Sequence, residues 1–459
     1  MKKSILFSCL LSVSMAGFAQ EMVGTWSGSL KMPKLRLVFH IENNGDDYST
    51  KMDSPDQGAF GIPMEDTRIT ESSVVIDAAA LGMQYEGSLK GDSIVGSFNQ
   101  SGMSFPLVLY KNAGEAENLR PQEPVAPFPY KSEEVAFRNE DAGIDLAGTL
   151  TLPPDGSEFP AVILISGSGP QNRDEELFGH KPFLLLADQL TRTGIAVLRF
   201  DDRGIGKSGG RFDTATTFDF AGDARAAMDY LLKRKEIDKN KIGLLGHSEG
   251  GMVATLIAAD DPRVAFVVSM AGMALPAREV LLQQQKSLLT AMNLPEEQQK
   301  PLIETNEACF NTILATPDTV ILKTALLPVF ENAWETADPQ MKANVSKETF
   351  LSDNLKSVVT PWFISFLSLD PKPYLSKVNC PYFALNGEKD IQVIADSNLS
   401  AFTEIFKESG NGKLKTKSYP GLNHLFQTCK TGLPNEYGQI KETISPQVLE
   451  DIVVWIKQN

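Results

Sequence analysis

The strongest limit on the fold of this chain is a solid apolar run, Ala161-Val162-Ile163-Leu164-Ile165, whose kind recurs downstream. A strand with one wet face alternates apolar and polar residues, whereas an unbroken apolar strand is covered on both faces. Ile195 to Phe200, Lys241 to Leu245 and Ala265 to Met270 follow in the same grammar. Between them lie helical stretches at Pro182 to Thr193, Phe218 to Arg234 and Gly251 to Ala259. Such alternation predicts a mostly parallel sheet flanked by helices. A hairpin of Glu134 to Arg138 and Asp145 to Leu152 leads into it.

The alternation stops between about Leu275 and Pro373, where long helical stretches (Glu279 to Met292, Pro295 to Thr316) replace it. The sheet resumes at Tyr382-Phe383-Ala384-Leu385 and Leu414 to Tyr419, and an amphipathic helix, Pro446 to Lys457, ends the chain. The helical block, residues 275–373, is therefore expected as a cap over the strand ends. Trp334, Trp362, Phe363 and Phe366 lie in it and are expected in its core.

The first part of the chain reads differently. Leu35 to Phe39, Thr67 to Ile76, Tyr85 to Leu89 and Ser93 to Phe98 have period-2 patterns broken by Gly, Asn and Asp. They predict a small all-β domain over residues 20–112, a sandwich or barrel. Pro121, Pro124, Pro127 and Pro129 mark a stiff linker over 113–130, and the α/β domain spans 131–459. At the start, Lys2 and Lys3 precede an apolar run, Ile5 to Val13, and Gly17-Phe18-Ala19 supplies small residues for cleavage. Residues 1–19 are thus expected to be a secretory signal peptide and the protein to be exported, to the periplasm or beyond.

Composition narrows the chemistry. A formal charge of −15 argues against nucleic-acid partners, which need a cationic surface. No later stretch reaches about 18 unbroken apolar residues, so no membrane span is expected in the mature chain. Removing Cys9 with the signal segment leaves Cys309, Cys380 and Cys429, too few for a disulfide framework, although one pair could bridge. The histidines are scattered, no Cys/His cluster has metal-ligand spacing, and no metal or cofactor is expected. Oligomeric state, including a homo-oligomer, stays open.

One motif carries chemistry. Gly246-His247-Ser248-Glu249-Gly250 has the Gly-x-Ser-x-Gly pattern, with a strand running in and a helix running out. Such a turn forces the serine into a strained backbone that small neighbours permit, and lifts its hydroxyl clear of the sheet. The helix N-terminus favours developing negative charge. A serine hydroxyl needs a base, and after such an elbow the order is serine, acid, histidine. His40, His180 and His247 precede Ser248, so only His424, in the Gly-containing loop Pro420 to Phe426, fills the last place. Asp390, in Asn386-Gly387-Glu388-Lys389-Asp390, is the expected acid, with Glu388 and Asp396 as rivals. The oxyanion hole should combine the Glu249 N–H with one from Ser166-Gly167-Ser168-Gly169-Pro170, Ser168 first and Gly167 next. Arg173 and Asp174 either line the pocket or pair with each other.

A second glycine pattern, Gly204-Ile205-Gly206-Lys207-Ser208-Gly209, resembles a dinucleotide loop. The glycines there do not open a helix directly, because Arg211 to Thr217 intervene, and Asp201 and Asp202 would repel phosphate. A tight loop braced by Arg203 and the aspartates is expected instead.

Taken together, the Ser166 to Pro170 loop, Phe200 to Ser208, Gly246 to Gly251, Asn386 to Asp390 and Leu422 to Phe426 resemble bacterial α/β-hydrolase carboxylesterases related to the serine-aminopeptidase-like hydrolases. The resemblance covers about Lys131 to Asn459. It implies the α/β-hydrolase fold with a cap and a serine esterase acting on small-molecule esters. Relatives also cleave thioesters and peptides, so a peptidase or acyl-transfer enzyme is the alternative, and an inactive binding protein a third. Ser166 stands where the family's oxyanion loop has a histidine.

Overall fold

The computed structural model describes residues 22–459, except 32–33, 46, 55–56, 58, 71, 101–102, 112–119 and 338. The expected signal segment, residues 1–19, lies outside the described residues, as do residues 113–119 of the linker. The chain divides into two compact units. One runs to Pro121 and includes Tyr437–Lys441; the other comprises Gln122–Glu436 and Glu442–Asn459.

In the first unit the described strands are β1 (Gly24–Lys31), β2 (Lys34–Asn43), β3 (Tyr48–Ser54), β4 (Ala59–Pro63), β5 (Asp66–Ile69), β6 (Ser73–Ala78), β7 (Met83–Lys90), β8 (Ser93–Gln100) and β9 (Met103–Lys111). They form one antiparallel sheet in the order β4-β3-β2-β1-β9-β8-β7-β6-β5. Alternate residues face a single core around Trp26, Phe39, Ile76, Tyr85 and Phe98. The two ends of the sheet meet: Met64 N–H donates to Thr50 C=O, Glu65 N–H donates to Asp77 C=O, and the Thr67 hydroxyl donates to that of Thr50 at 2.9 Å. The unit is a curled barrel of hairpins rather than a sandwich, because one sheet wraps its own core. The stretch Thr67 to Ile76, read as a single strand, is two strands divided at a turn where Thr70 N–H meets Ser73 C=O. Polar Thr70 and Ser72 offer no apolar side to continue it.

The second unit follows the expected alternation. Its elements in order are β10 (Lys131–Asn139), β11 (Ile144–Leu152), β12 (Phe159–Ile165), α1 (Pro182–Arg192), β13 (Ala196–Phe200), α2 (Thr217–Leu231), β14 (Ile237–His247), α3 (Glu249–Asp260) and β15 (Val267–Met270). The helical insertion follows: α4 (Ala277–Ala291), α5 (Glu296–Ala315), α6 (Thr319–Thr336), α7 (Pro339–Asn344), α8 (Lys347–Val358), α9 (Pro361–Leu367) and α10 (Lys372–Leu375). Then come β16 (Tyr382–Gly387), α11 (Ala395–Ser409), β17 (Leu414–Tyr419) and α12 (Pro446–Gln458). The sheet order is β10-β11-β13-β12-β14-β15-β16-β17, parallel from β13 to β17 and antiparallel at the entering hairpin.

Both sheet faces are covered, which is why β12 is solidly apolar. Ala161, Ile163 and Ile165 join the core under α2, α3 and α11, whereas Val162 and Leu164 join the one under α1 and α12. Each of the valine, leucine and isoleucine side chains contributes roughly 1.5–3 kcal/mol on burial.

The insertion has its own core of Cys309, Phe310, Ile313, Leu322, Leu326, Phe330 and Leu367, with Phe363 against it. Two of the aromatics expected there sit elsewhere. Phe366 is buried in the sheet core, Trp362 packs beside it, and their rings stack at 5.1 Å. They lie on the sheet-facing side of α9, so they dock the cap rather than fill it. Among the described residues no helix is long and apolar enough to cross a membrane. Cys309, Cys380 and Cys429 are all free thiols, so the one bridge left open by the sequence does not form among them.

Candidate active site

Strand β14 ends at His247 and helix α3 begins at Glu249, leaving Ser248 alone at the turn with φ 53° and ψ −119°. A residue with a Cβ is strained there by about 1–3 kcal/mol, a cost that persists only when the surroundings impose it. They do so through hydrogen bonds from Ser248 N–H to Met270 C=O (2.8 Å) and from Gly251 N–H to Ser248 C=O (3.0 Å). The flanking glycines are obligatory for steric reasons. A Cβ on Gly246 would lie 2.0 Å from the Gly250 carbonyl oxygen, and one on Gly250 would lie 2.1 Å from that of Ile165.

His424 follows β17 in a loop tied down by Asn423, whose side-chain oxygen accepts the N–H groups of Leu425 and Gln427. The loop presses on the end of β16, where a Cβ on Gly387 would meet the Leu422 carbonyl at 2.3 Å. Asp390 lies just past that strand end. Its Oδ2 accepts a hydrogen bond from His424 Nδ1 at 2.7 Å, and its Oδ1 accepts from the N–H groups of Gln392 and Val393. Both side chains are buried. The two rivals stand apart from this pair: Glu388 takes the Ser418 hydroxyl, and Asp396 lies in the first turn of α11.

His247, passed over in the sequence as merely preceding the serine, joins the elbow to the His424 loop. Its Nε2 donates to the His424 carbonyl at 3.0 Å and its Nδ1 donates to Glu175 Oε1 at 3.0 Å. A doubly protonated ring satisfies both acceptors. Burial works against that charge, but the Glu175 carboxylate outweighs it and holds the pKa above the ordinary histidine value. Glu175 is itself buried, at a positive φ of 49°. Neither residue had a local signal, because they lie far apart in the chain.

The same Glu175 oxygen accepts the Gly167 N–H at 2.7 Å. Gly167 lies against the serine, since a Cβ added to it would come within 3.2 Å of Ser248 Cβ, but its amide is occupied. That removes it from the pair of candidate second donors. Among the described residues the N–H groups of Ser168 and Glu249 have no hydrogen-bond partner. Ser166, in the position of the family's histidine, donates to Asp202 at 2.8 Å.

Arg173 and Asp174 pair, but not with each other. Arg173 forks onto Asp201 and reaches Glu134, and Asp174 pairs with Arg199. The glycine loop is braced by Asp201, which accepts Lys207 N–H, while Arg203 turns away to Asp219 and Asp223 on α2. A Cβ on Gly206 would strike Asp201 at 2.5 Å, so the loop closes on an aspartate where a phosphate would need room.

Burial lifts the Asp202 carboxyl to about 7, helped by the charges of Glu175 and Glu249. Its pKa is higher in the folded chain than in the unfolded one, so its contribution is complete below about pH 4 and is lost as pH rises to about 7. Asp202→Asn should therefore gain on the parent across that window, by up to about 4 kcal/mol. Urea unfolding at a series of pH values measures this, and a pH-independent difference would refute it.

With this geometry in hand, comparison with known proteins is informative. Residues 181–428 match the family described as serine aminopeptidase, S33. Esterase EstD of Thermotoga maritima is 25% identical over 323 residues, 70% of this chain and 68% of its own length. Dipeptidyl-peptidase 5 of Porphyromonas gingivalis is 28% identical over 153 residues, 31% of this chain but only 22% of that protein. A solved structure of the Pyrococcus furiosus esterase Pf2001 aligns with 72% of this chain and 93% of its own at 16% identity, TM-score 0.42. The matched family segment takes in α1 through the His424 loop, more than half of the chain, and the protein belongs to the S33 serine-aminopeptidase family of α/β-hydrolases.

Proposed function

We propose that the protein is an exported serine esterase that cleaves small carboxylic esters through an acyl-enzyme. The observation that most supports this is the strained Ser248 at the head of α3, next in sequence to His247, whose ring meets the carbonyl of a His424 that is buried and paired with Asp390. In this reading His424 Nε2 takes the Ser248 proton as the oxygen attacks the ester carbonyl. Asp390 keeps Nδ1 protonated and stabilises the imidazolium that forms. The Ser168 and Glu249 amides receive the oxyanion. His424 then protonates the departing alcohol, and water, deprotonated by the same imidazole, releases the acid and restores Ser248.

The kinship with Esterase EstD supports an ester substrate. The family description and the shorter match to a dipeptidyl-peptidase favour a peptide as the second reading.

The test is a fluorophosphonate label followed by aryl esters of graded acyl length and a set of dipeptides. A label on Ser248 with turnover of short esters is the expected result. Efficient dipeptide cleavage without ester turnover would overturn it in favour of the second reading, and unlabelled folded protein would overturn both.

A further inference from the structure

Glu249 enters the proposed mechanism only through its backbone, yet its side chain is the most heavily engaged group at the elbow. The carboxyl is buried at the first residue of α3. Its Oε1 accepts the Thr217 hydroxyl at 2.6 Å, from the first residue of α2. The indole N–H of Trp362, on cap helix α9, lies 3.0 Å from both carboxylate oxygens. Burial pushes the carboxyl up from the ordinary glutamate value, and these donors, with the Ser168 side chain, pull it back. Three separate parts of the fold, α2, α9 and the Ser168 loop, thus converge on one acid, and Ser168 and Glu249 carry the candidate oxyanion donors.

We propose that Glu249 is a positioning residue through which cap helix α9 sets the oxyanion hole. The inference rests on the esterase reading and deepens it. A carboxylate beside a developing oxyanion would repel it, so its charge must be drawn away from the reacting oxygen. Thr217 and Trp362 do this by donating to the carboxylate oxygens. Because the side chain and the donating N–H belong to one residue, fixing the first fixes the second. Trp362 is the contact that the cap contributes, and its ring is held by stacking on Phe366. Seating the cap and aligning the hole are then one event, and a cap that lifts its indole leaves the Glu249 amide less well aimed. Misplacing such a donor costs transition-state stabilisation rather than substrate binding.

Trp362→Phe keeps the ring and its stacking while deleting the N–H; Glu249→Gln keeps the shape but sets an amide NH2 where a carboxylate oxygen accepted a donor, which breaks the clamp. On a short aryl ester each variant should lower kcat by about tenfold or more, with KM within about twofold. The double variant should be no worse than the weaker single one, because both act through one contact. Affinity for an aliphatic trifluoromethyl ketone, whose adduct with the serine places an oxyanion in the hole, should fall by the same factor as kcat. A contact that only docks the cap would not produce that parallel. If Glu249→Gln does not fold, Trp362→Phe decides alone. Unchanged kcat in Trp362→Phe, a loss confined to KM, or losses that multiply in the double variant would overturn the proposal while leaving the esterase reading in place. A parent with no ester turnover would overturn both.

Discussion

Replacing Ser248 by alanine is expected to abolish fluorophosphonate labelling and to reduce ester turnover by about 10⁴-fold or more. The substitution deletes the attacking oxygen and nothing else of consequence. Alanine keeps the Cβ, so the φ of 53° is as strained as before, and the bonds from Ser248 N–H and to its C=O are untouched. Stability should therefore change little. Ser248→Gly should be equally inactive but should melt higher than the alanine variant, because glycine adopts this backbone without strain. Kinetics on a short aryl ester and thermal unfolding of the two variants measure both halves. Residual turnover above about one per cent in Ser248→Ala would remove the serine from the centre of the mechanism.

The second large effect belongs to Asp390→Asn, expected to lower kcat by about 10⁴-fold in a protein that still folds. The reason lies in how the two carboxylate oxygens are used. Oδ1 accepts two backbone N–H groups, from Gln392 and Val393, so an asparagine must present its oxygen there. Its amide N–H then faces His424 Nδ1, which can meet it only as an acceptor. That places the imidazole proton on Nε2, the nitrogen that must take the proton from Ser248. The base is present but in the wrong tautomer. Circular dichroism should match the parent, and a kcat within tenfold of it would assign the acid elsewhere.

The parts of the site that were legible in advance are those with a local or ordinal signal. Gly246 and Gly250 are demanded by contacts of about 2 Å to carbonyls that any elbow of this shape brings close. His424 could be chosen because it is the single histidine downstream, and Asp390 because it closes a strand end. The choice among Asp390, Glu388 and Asp396 was less clear, since all three are acids within a few residues, and the hydrogen bond to His424 separates them. The choice between Gly167 and Ser168 needed the Glu175 carboxylate, which occupies one amide and leaves the other. Glu175 itself had no motif to announce it.

The same division runs through the fold. Strand and helix positions in the second unit follow from burial on one or both faces, a property written into neighbouring residues. Whether hairpins in the first unit split into two sheets or curl into one depends on Thr50 meeting Thr67, a pairing that no local pattern encodes.

Local pattern alone determines the alternation of buried strands and helices, the elbow at Ser248 and the order in which Ser248, Asp390 and His424 follow along the chain. Three-dimensional packing alone decides that His247 bridges Glu175 and the His424 carbonyl, that Gly167 is spent, and that Trp362 leaves the cap core to reach Glu249. Backbone preference and one-sided burial act over a few residues, so they can be read in order. A hydrogen bond between side chains 72 or 113 residues apart exists only once the sheet has brought them together.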